Sequence, residues 1–236
     1  IGPANMSGRI TAIDVSISNP KIIYLGAASG GVWKSENGGT AWTAVFDEQP
    51  TQNIGAIAIQ KSNSNEIWVG TGEGNPRNSM NLGMGLFKSE DGGKTWKHMG
   101  LEATKTIHRI LIDPQDEKTI YVGAMGDPFT KNEHRGLYKT SDGGVSWNKI
   151  LFTNNSSGIA DLVIDPKNPN KIFAAMYDHH RTPYSYVSGG SGSGLYFSKD
   201  NGDSWQKIES KQGLPEGDLG RIGIAIAPSN PCLLYT

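Results

Sequence analysis

Three acidic side chains recur at intervals of about fifty residues, namely Glu73, Asp127 and Asp178. Each follows a short apolar segment and opens a polar stretch, and polar loops on a rigid scaffold commonly carry function. If folding brings two of these carboxyl groups together, crowding pushes their pKa values apart, and the pair could act as general acid and general base. The sequence gives no separation between them, so no catalytic residue is assigned and the three stay candidates.

The same polar stretches carry arginine, histidine, tyrosine and asparagine side chains, and further arginines begin the apolar segments. This clustering predicts a binding surface for a polar ligand, either a glycan stacked on Tyr184, Tyr186 or Phe129, or an extended polypeptide. The predicted ligand-binding residues are Arg9, Arg77, Asn78, Arg109, His134, Arg135, His180, Arg181, Tyr184 and Tyr186. The alternative is that the arginines form ion pairs with the acidic residues and tie neighbouring units together.

No metal or cofactor is expected. His179 and His180 follow Asp178, but side chains adjacent in sequence rarely converge on one ion. The single cysteine, Cys232, forms neither an intrachain disulfide nor a CxxC metal site. The glycine-rich run at 189–194 is not followed by a Lys-Ser/Thr pair, so it predicts a flexible loop tip and not a phosphate-binding loop.

An internal repeat positions all of these side chains. Four segments align, each with an Asp or Asn, one or two glycines and a closing tryptophan: 35–42, 89–96, 140–147 and 198–205. Their aligned residues are Asn37 and Trp42, Asp91 and Trp96, Asp142 and Trp147, and Asp200 and Trp205. In such a turn the Asp or Asn hydrogen-bonds local backbone, glycine accepts a positive φ, and the Trp pins the turn. We therefore interpret these segments as structural.

Three short apolar strands precede each of these segments and one strand follows it. Four antiparallel strands per unit of about fifty residues predict an all-β fold, a β-propeller of four-stranded blades. Residues 1–236 are predicted to form about four and a half blades of a larger propeller, at about 7–49, 50–103, 104–154, 155–212 and, in part, 219–236. Unpaired strand edges would remain, so we expect further blades or another chain to complete the ring.

Loop lengths point to one face of the predicted blades. The repeated turns join the third and fourth strands, whereas the loops between the second and third strands lie on the opposite face. Three of the latter are long, namely 71–83, 124–135 and 177–193. The predicted ligand-binding face is therefore the one that carries these loops.

Charge and hydropathy exclude two classes of partner. Lys plus Arg number 22 and Asp plus Glu 23, giving a net charge of −1 without a basic run, so nucleic acid is not an expected ligand. No run of 18 apolar residues is present, so membrane insertion is not expected. The sequence also opens without the pattern of a signal peptide, and any leader is expected to be missing from this chain.

The repeated turns and the strand order resemble the Asp-box, or BNR, repeat superfamily, which includes sialidases, xyloglucanases, sortilin-type (VPS10-like) receptors and photosystem II assembly factors. More narrowly, residues 1–10, 70–79 and 217–223 are similar to large bacterial proteins described as sortilin-like or as BNR glycosyl hydrolases. The resemblance covers essentially the whole chain. It implies a bacterial protein that is secreted, periplasmic or on the cell surface.

The resemblance also implies what chemistry to expect. Xyloglucanases carry a catalytic Asp just after the second strand of the first blade. The matching stretch here, 24–31, places Ala28 at that position, and alanine cannot transfer a proton. Sialidases carry an early Arg-Ile-Pro motif, whereas Arg9-Ile10-Thr11 lacks the proline. We therefore expect a non-catalytic recognition or scaffold propeller that binds a glycan or polypeptide. The alternative is a polysaccharide-active glycoside hydrolase with its remaining catalytic residues outside this chain.

Overall fold

A computed structural model describes residues 9–77, 80–227 and 229–235, and the chain divides into two units, 1–107 and 108–236. Antiparallel sheets make up nearly all regular structure in both units, which confirms the predicted all-β propeller with four-stranded blades. The helical segments in this part of the chain are two short 3-10 turns, Glu102–Thr104 and Ser210–Gln212.

The first unit contains two four-stranded sheets in which each strand pairs with the next along the chain. The first sheet consists of β1 (Ile10–Val15), β2 (Ile23–Ala27), β3 (Gly31–Ser35) and β4 (Thr43–Ala44). The second consists of β5 (Ile54–Ile59), β6 (Ile67–Thr71), β7 (Leu86–Ser89) and β8 (Lys97–His98).

The strands from residue 107 onward form a four-stranded sheet, a five-stranded sheet and a hairpin. The third sheet consists of β9 (Ile107–Ile112), β10 (Ile120–Ala124), β11 (Gly136–Thr140) and β12 (Asn148–Leu151). The fourth has five strands, β13 (Ser157–Ile164), β14 (Ile172–Arg181), β15 (Tyr186–Ser188), β16 (Gly194–Ser198) and β17 (Gln206–Lys207). The hairpin pairs β18 (Ala225–Ala227) with β19 (Asn230–Tyr235).

The Asp-box turn is a closed set of local hydrogen bonds. In the second box the Ser89 hydroxyl donates to Asp91 Oδ1 at 2.8 Å and accepts from the Gly93 amide at 2.8 Å. Asp91 Oδ1 also accepts from the Thr95 amide, and Oδ2 from the Thr95 hydroxyl, at 2.9 and 2.6 Å. These bonds, those from Thr95 first, lower the pKa of Asp91 to about 2. The box carboxylate is thus fully engaged by its own turn.

Tyrosines of second strands connect a sheet to the box of the following sheet. In the first unit the Tyr24 hydroxyl donates to the carbonyl of Gly92, at 3.1 Å. In the second unit Tyr121 makes the same contact with the carbonyl of Asn201, also at 3.1 Å. The Trp96 indole N–H donates to the Val45 carbonyl at 2.7 Å, so this box tryptophan also reaches the preceding sheet.

Close packing of a glycine against an isoleucine joins consecutive sheets. A methyl group placed on Gly26 of β2 would lie 2.5 Å from Cγ2 of Ile54, the first residue of β5. In the second unit, one placed on Gly123 of β10 would lie 2.6 Å from Cγ2 of Ile159 in β13. Both isoleucines are completely buried. A side chain at either glycine would keep the sheets from approaching this closely.

Strand β1 carries the same apolar pattern without a covering sheet among the described residues. Ile10 and Ile13 are 56% and 64% exposed, whereas Ile54 and Ile57, at the same places in β5, are 0% and 8% exposed. Ile17, just after β1, is 69% exposed. A row of large β-branched residues on one strand is therefore unpacked in this unit.

Candidate functional site

The predicted long loop at 177–193 is largely a β-hairpin. Strand β14 continues to Arg181, and its last three residues pair with β15, while Asp178 pairs with Ser157 at the start of β13. Assigning a loop from residue 177 was therefore wrong. The chain carries no Gly, Pro or Asn between Ile172 and Pro183, so nothing stops the strand before Thr182. We call residues 177–188 the arm.

Exposed aromatic side chains lie at the end of the arm. Tyr184 is 98% exposed, and Tyr186 and Val187 are exposed as well. The Arg181 guanidinium lies over the Tyr186 ring, 5.2 Å from its centroid, a cation–π contact. The Arg181 amide donates to the Pro128 carbonyl at 2.8 Å, which places the exposed Phe129 on the loop attached to the arm.

A hydroxyl contact to a buried tyrosine holds the Tyr186 ring in place. The hydroxyl of the buried Tyr177 lies 2.8 Å from the Tyr186 hydroxyl and 2.7 Å from that of Ser188. Burial raises the pKa of Tyr177 to about 12, so this group stays protonated at physiological pH. The predicted ligand-binding residue Tyr186 thus lies on a preorganised strand and not on a mobile loop.

His179 is the buried support of the arm. It is completely buried, stacks on Tyr177 at 5.5 Å and meets the edge of Tyr186 at 5.5 Å. Neither ring nitrogen has a hydrogen-bond partner. Burial, followed by the charge of Arg135, lowers the pKa of His179 to about 4. The sequence did not predict that His179 holds the arm. The only signal for it was the continuation of the strand pattern through residue 179.

Arg135 organises the loop beside the arm. Its side chain is completely buried, and its guanidinium donates to the carbonyls of Asp127, Thr130 and Ser156 at 2.5, 3.1 and 2.9 Å. Burial lowers the pKa of Arg135 to about 10. This predicted ligand-binding side chain is therefore placed to hold residues 127–130, and its guanidinium faces backbone.

A second cluster of polar side chains lies on β9, on β13 and on the segment 221–224. Arg109 Nε donates to Asp161 Oδ1 at 2.7 Å, and Asp161 Oδ2 accepts from the Ile224 amide at 3.0 Å. The Arg221 guanidinium donates to His108 Nε2 at 2.6 Å, so the imidazole proton lies on Nδ1. Burial, with help from Arg109 and Arg221, holds the pKa of His108 well below its usual value. Arg109 thus ties two sheets together, although its partner is Asp161 and not one of the three candidate acids.

In the first unit, Glu73 is already paired. Its carboxylate is completely buried and forms a two-point ion pair with Arg9, whose Nε donates to Oε1 at 3.0 Å. The Arg9 carbonyl accepts from the amide of Ala28, which is also completely buried. Glu73 therefore serves as an anchor for Arg9, and no acid lies where the xyloglucanase resemblance places one.

The remaining predicted residues are spread over both units. Asp127 Oδ1 accepts from the Phe129 amide at 2.8 Å, and the Asp178 carboxylate packs against Gly190. His134 is exposed and His180 is half-buried in β14. In the first unit Arg77 is half-buried after β6, and Asn78 lies outside the described residues.

Within residues 9–77, 80–227 and 229–235, no three His, Cys, Asp or Glu side chains lie close enough together to hold a metal ion. In the same part of the chain, no helix has the length and apolarity needed to span a membrane.

Antiparallel sheets of this kind, closed by Asp-box turns, are the blades of a β-propeller. Two solved structures share the fold. An ancestral GH74 enzyme superposes with a TM-score of 0.69 at 19% identity, covering 96% of this chain and 28% of that one. The GH74 xyloglucanase from Xanthomonas campestris gives 0.63 at 19% identity, covering 89% and 31%.

The Sortilin-Vps10 family model, described as sortilin, neurotensin receptor 3, matches residues 84–213, more than half of the chain. The chain belongs to this family. A xyloglucanase of Paenibacillus sp. is 22% identical over 255 residues, covering 97% of this chain and 23% of that protein. A probable oligoxyloglucan-reducing end-specific xyloglucanase of Neosartorya fischeri is 36% identical over 99 residues, covering 40% and 10%. The chain thus spans a quarter or less of these relatives.

Titration of His179 links the stability of the second unit to pH. Its pKa is about 4 in the folded chain and 6.5 when unperturbed, so the unfolded state binds more protons between these values. Stability is therefore lost as the pH falls from 6.5 toward 4. His179→Phe keeps a ring but cannot titrate, so the loss of unfolding free energy between pH 7 and pH 5 should shrink by ~2 kcal/mol in urea denaturation.

The exposed Val145 supplies the control: Val145→Phe adds a ring without removing a titratable group and should keep the wild-type pH profile. A wild-type profile for His179→Phe would contradict the assignment of a depressed pKa to His179.

Proposed function

We propose that this chain is a non-catalytic recognition propeller of an exported bacterial protein, and that the arm binds a glycan. The observation that carries the proposal is the group of exposed rings at the arm, Tyr184 and Tyr186, with Arg181 stacked on one of them. Aromatic faces bind the apolar faces of sugar rings, and an adjacent guanidinium supplies hydrogen bonds to hydroxyls.

Rigidity supports the arm as a binding element. Ordering a mobile loop on binding costs free energy, whereas a surface held in its bound shape avoids that cost. Here the strand pairing of β14 with β15, the Tyr177 hydroxyl and the buried ring of His179 hold Tyr186 in place. The carbohydrate class is supported by the relatives, which are named as xyloglucanases.

A glycoside hydrolase is the second candidate, favoured by the same names. Against it, Glu73 is buried in an ion pair with Arg9, and Asp127 accepts from a neighbouring amide. A general acid needs a proton to give and access to the glycosidic oxygen. The buried Glu73 carboxylate has no such access and Asp127 is bonded to its own turn, so we favour binding without turnover.

Truncating the arm aromatics tests the proposal. Tyr184→Ala and Tyr186→Ala should each weaken binding of xyloglucan oligosaccharides about three- to tenfold, since an aromatic contact contributes roughly 0.5–1.5 kcal/mol. Isothermal titration calorimetry measures the affinities. Phe152→Ala, which removes an exposed ring outside residues 177–188, should bind as the wild type does.

Two results would count against glycan recognition by the arm. Unchanged affinity in both tyrosine variants would remove the arm from the site, and binding of extended peptides in place of sugars would transfer the function to polypeptide recognition. Release of reducing sugar from xyloglucan, abolished by Asp178→Asn, would favour the hydrolase.

We further propose that another four-stranded sheet covers β1. The equivalent face of β5 is buried by the first sheet, with Ile54 packed into the space above Gly26. Ile10 and Ile13 present the same side chains to solvent. The covering sheet should therefore carry Gly at the fourth position of its second strand, as Gly26 does in β2, whether it comes from the same polypeptide or from another.

Carbene footprinting of the protein isolated from its native source tests this contact. Ile10, Ile13 and Ile17 should be labelled as weakly as the buried Ile57, because the covering sheet excludes the reagent. Val145, which is 84% exposed in the second unit, should be labelled strongly as an internal control. Labelling of the three isoleucines at the level of Val145 would rule out the covering sheet.

A further inference from the structure

A cleft of about 610 Å³ opens in the first unit between the first and second Asp-box turns. This volume lies within the range of about 300–1,000 Å³ that is common for ligand sites. The cleft is lined by residues of both boxes and of the segment that joins the first two sheets, among them Asn37, Ala41, Asp47, Glu48, Gln49 and Trp96. It involves none of the arm residues.

The first box differs from the other three at two positions, and both face this cleft. Where the other boxes have Asp, it has Asn37, and where they have Thr or Ser four residues later, it has Ala41. In the second and third boxes that hydroxyl donates to the second carboxylate oxygen at 2.6 Å. The fourth box makes the same bond between Ser204 and Asp200.

The first turn closes without that bond. Asn37 Oδ1 accepts from the Ala41 amide at 2.8 Å and from the Ser35 hydroxyl at 3.0 Å, as the Asp residues do elsewhere. The carboxylate oxygen and its hydroxyl partner are replaced together, by an amide NH₂ group and a methyl group. The exchange gives this box a side-chain hydrogen-bond donor that the others lack.

The joining segment is held in one conformation. The Gln52 side-chain amide donates to the carbonyls of Phe46, Asp47 and Gln49 at 3.1, 3.3 and 3.3 Å. The Gln49 amide closes the turn by donating to Phe46 at 3.0 Å. Asp47 and Glu48 are therefore carried to the cleft on a preorganised turn.

Trp96 forms a fixed aromatic wall. Its indole N–H donates to the Val45 carbonyl at 2.7 Å, and its ring meets the edge of Phe46 at 5.0 Å. Both contacts hold the ring in one orientation, and its half-buried surface lines the cleft. An aromatic surface with a few placed polar groups is the usual composition of a small-ligand site.

The charges of the cleft select against anions. Lys34 is paired with Glu36 at 2.7 Å, so the remaining charged residues of the lining are one lysine, Lys94, and two carboxylates, Asp47 and Glu48. Carboxylates and amides are suited to hydroxyl groups, which donate and accept hydrogen bonds. A neutral polyhydroxylated ligand is therefore the chemical class that fits.

We propose that the cleft between the first two Asp-box turns is a second carbohydrate site, where a neutral sugar stacks on Trp96 and hydrogen-bonds Asn37, Asp47 and Glu48. This site is separate from the arm and needs no contribution from it.

Isothermal titration calorimetry with xyloglucan oligosaccharides and cellohexaose tests the site, with polygalacturonate as the charged probe. The double variant N37D/A41S rebuilds the carboxylate–hydroxyl bond of the other boxes, so the turn keeps its shape while the amide donor is lost. Asp47→Ala is the second variant. N37D/A41S and Asp47→Ala should each weaken sugar binding at the cleft at least tenfold. The reverse exchange in the third box, D142N/S146A, is the matched control and should bind as the wild type does.

The two carbohydrate sites are separated by the pattern of losses. Two neutral oligosaccharides bound per chain, one lost in Tyr184→Ala and the other in N37D/A41S, would support both sites. A single site lost only in Tyr184→Ala would overturn the cleft and leave the arm. A single site lost only in the cleft variants would support the cleft and remove the arm. No binding of either neutral probe, or tighter binding of polygalacturonate, would overturn the cleft.

Discussion

The rest of the structure depends on one contact between consecutive sheets. A glycine in the second strand of one sheet packs against the first isoleucine in the first strand of the next sheet. Gly26 receives Ile54 in the first unit, and Gly123 receives Ile159 in the second. Because the isoleucine fills the space that a side chain would occupy, two sheets meet at van der Waals distance and the isoleucine is completely buried. The second-strand tyrosines, which hydrogen-bond to the following Asp-box, reach their partners only at this spacing.

The candidate sites are extensions of that packed framework. The arm continues β14, whose earlier residues Ala174 and Met176 are completely buried, so the exposed tyrosines are attached to core structure. Ion pairs also join neighbouring sheets within each unit. Arg9 pairs with Glu73 in the first unit, and Arg109 pairs with Asp161 in the second. Glu73, one of the three catalytic candidates in the sequence, is thereby used for cohesion, and the sites proposed for recognition rely on other side chains.

The Asp-boxes, the strand order and the all-β fold could be predicted from the sequence because each box is a local structure whose bonds lie within a few residues. The partners of Glu73 and Arg135 could not, since a side chain 64 residues away and three backbone carbonyls decide their roles. The arm was predicted as a loop because residues 178–181 are all polar. The exchange at Asn37 and Ala41 was visible in the aligned boxes, but its meaning depends on the cleft beside it.

Chemical denaturation of Gly123→Ala against Gly220→Ala tests the central claim most directly. Both variants add one methyl group to a glycine without a positive φ, but a methyl at Gly220 meets nothing within 4 Å. If the glycine–isoleucine contact joins the sheets, Gly123→Ala should lose roughly 1–3 kcal/mol of unfolding free energy through overpacking, while Gly220→Ala stays close to the wild type. Equal stability of the two variants would contradict the account.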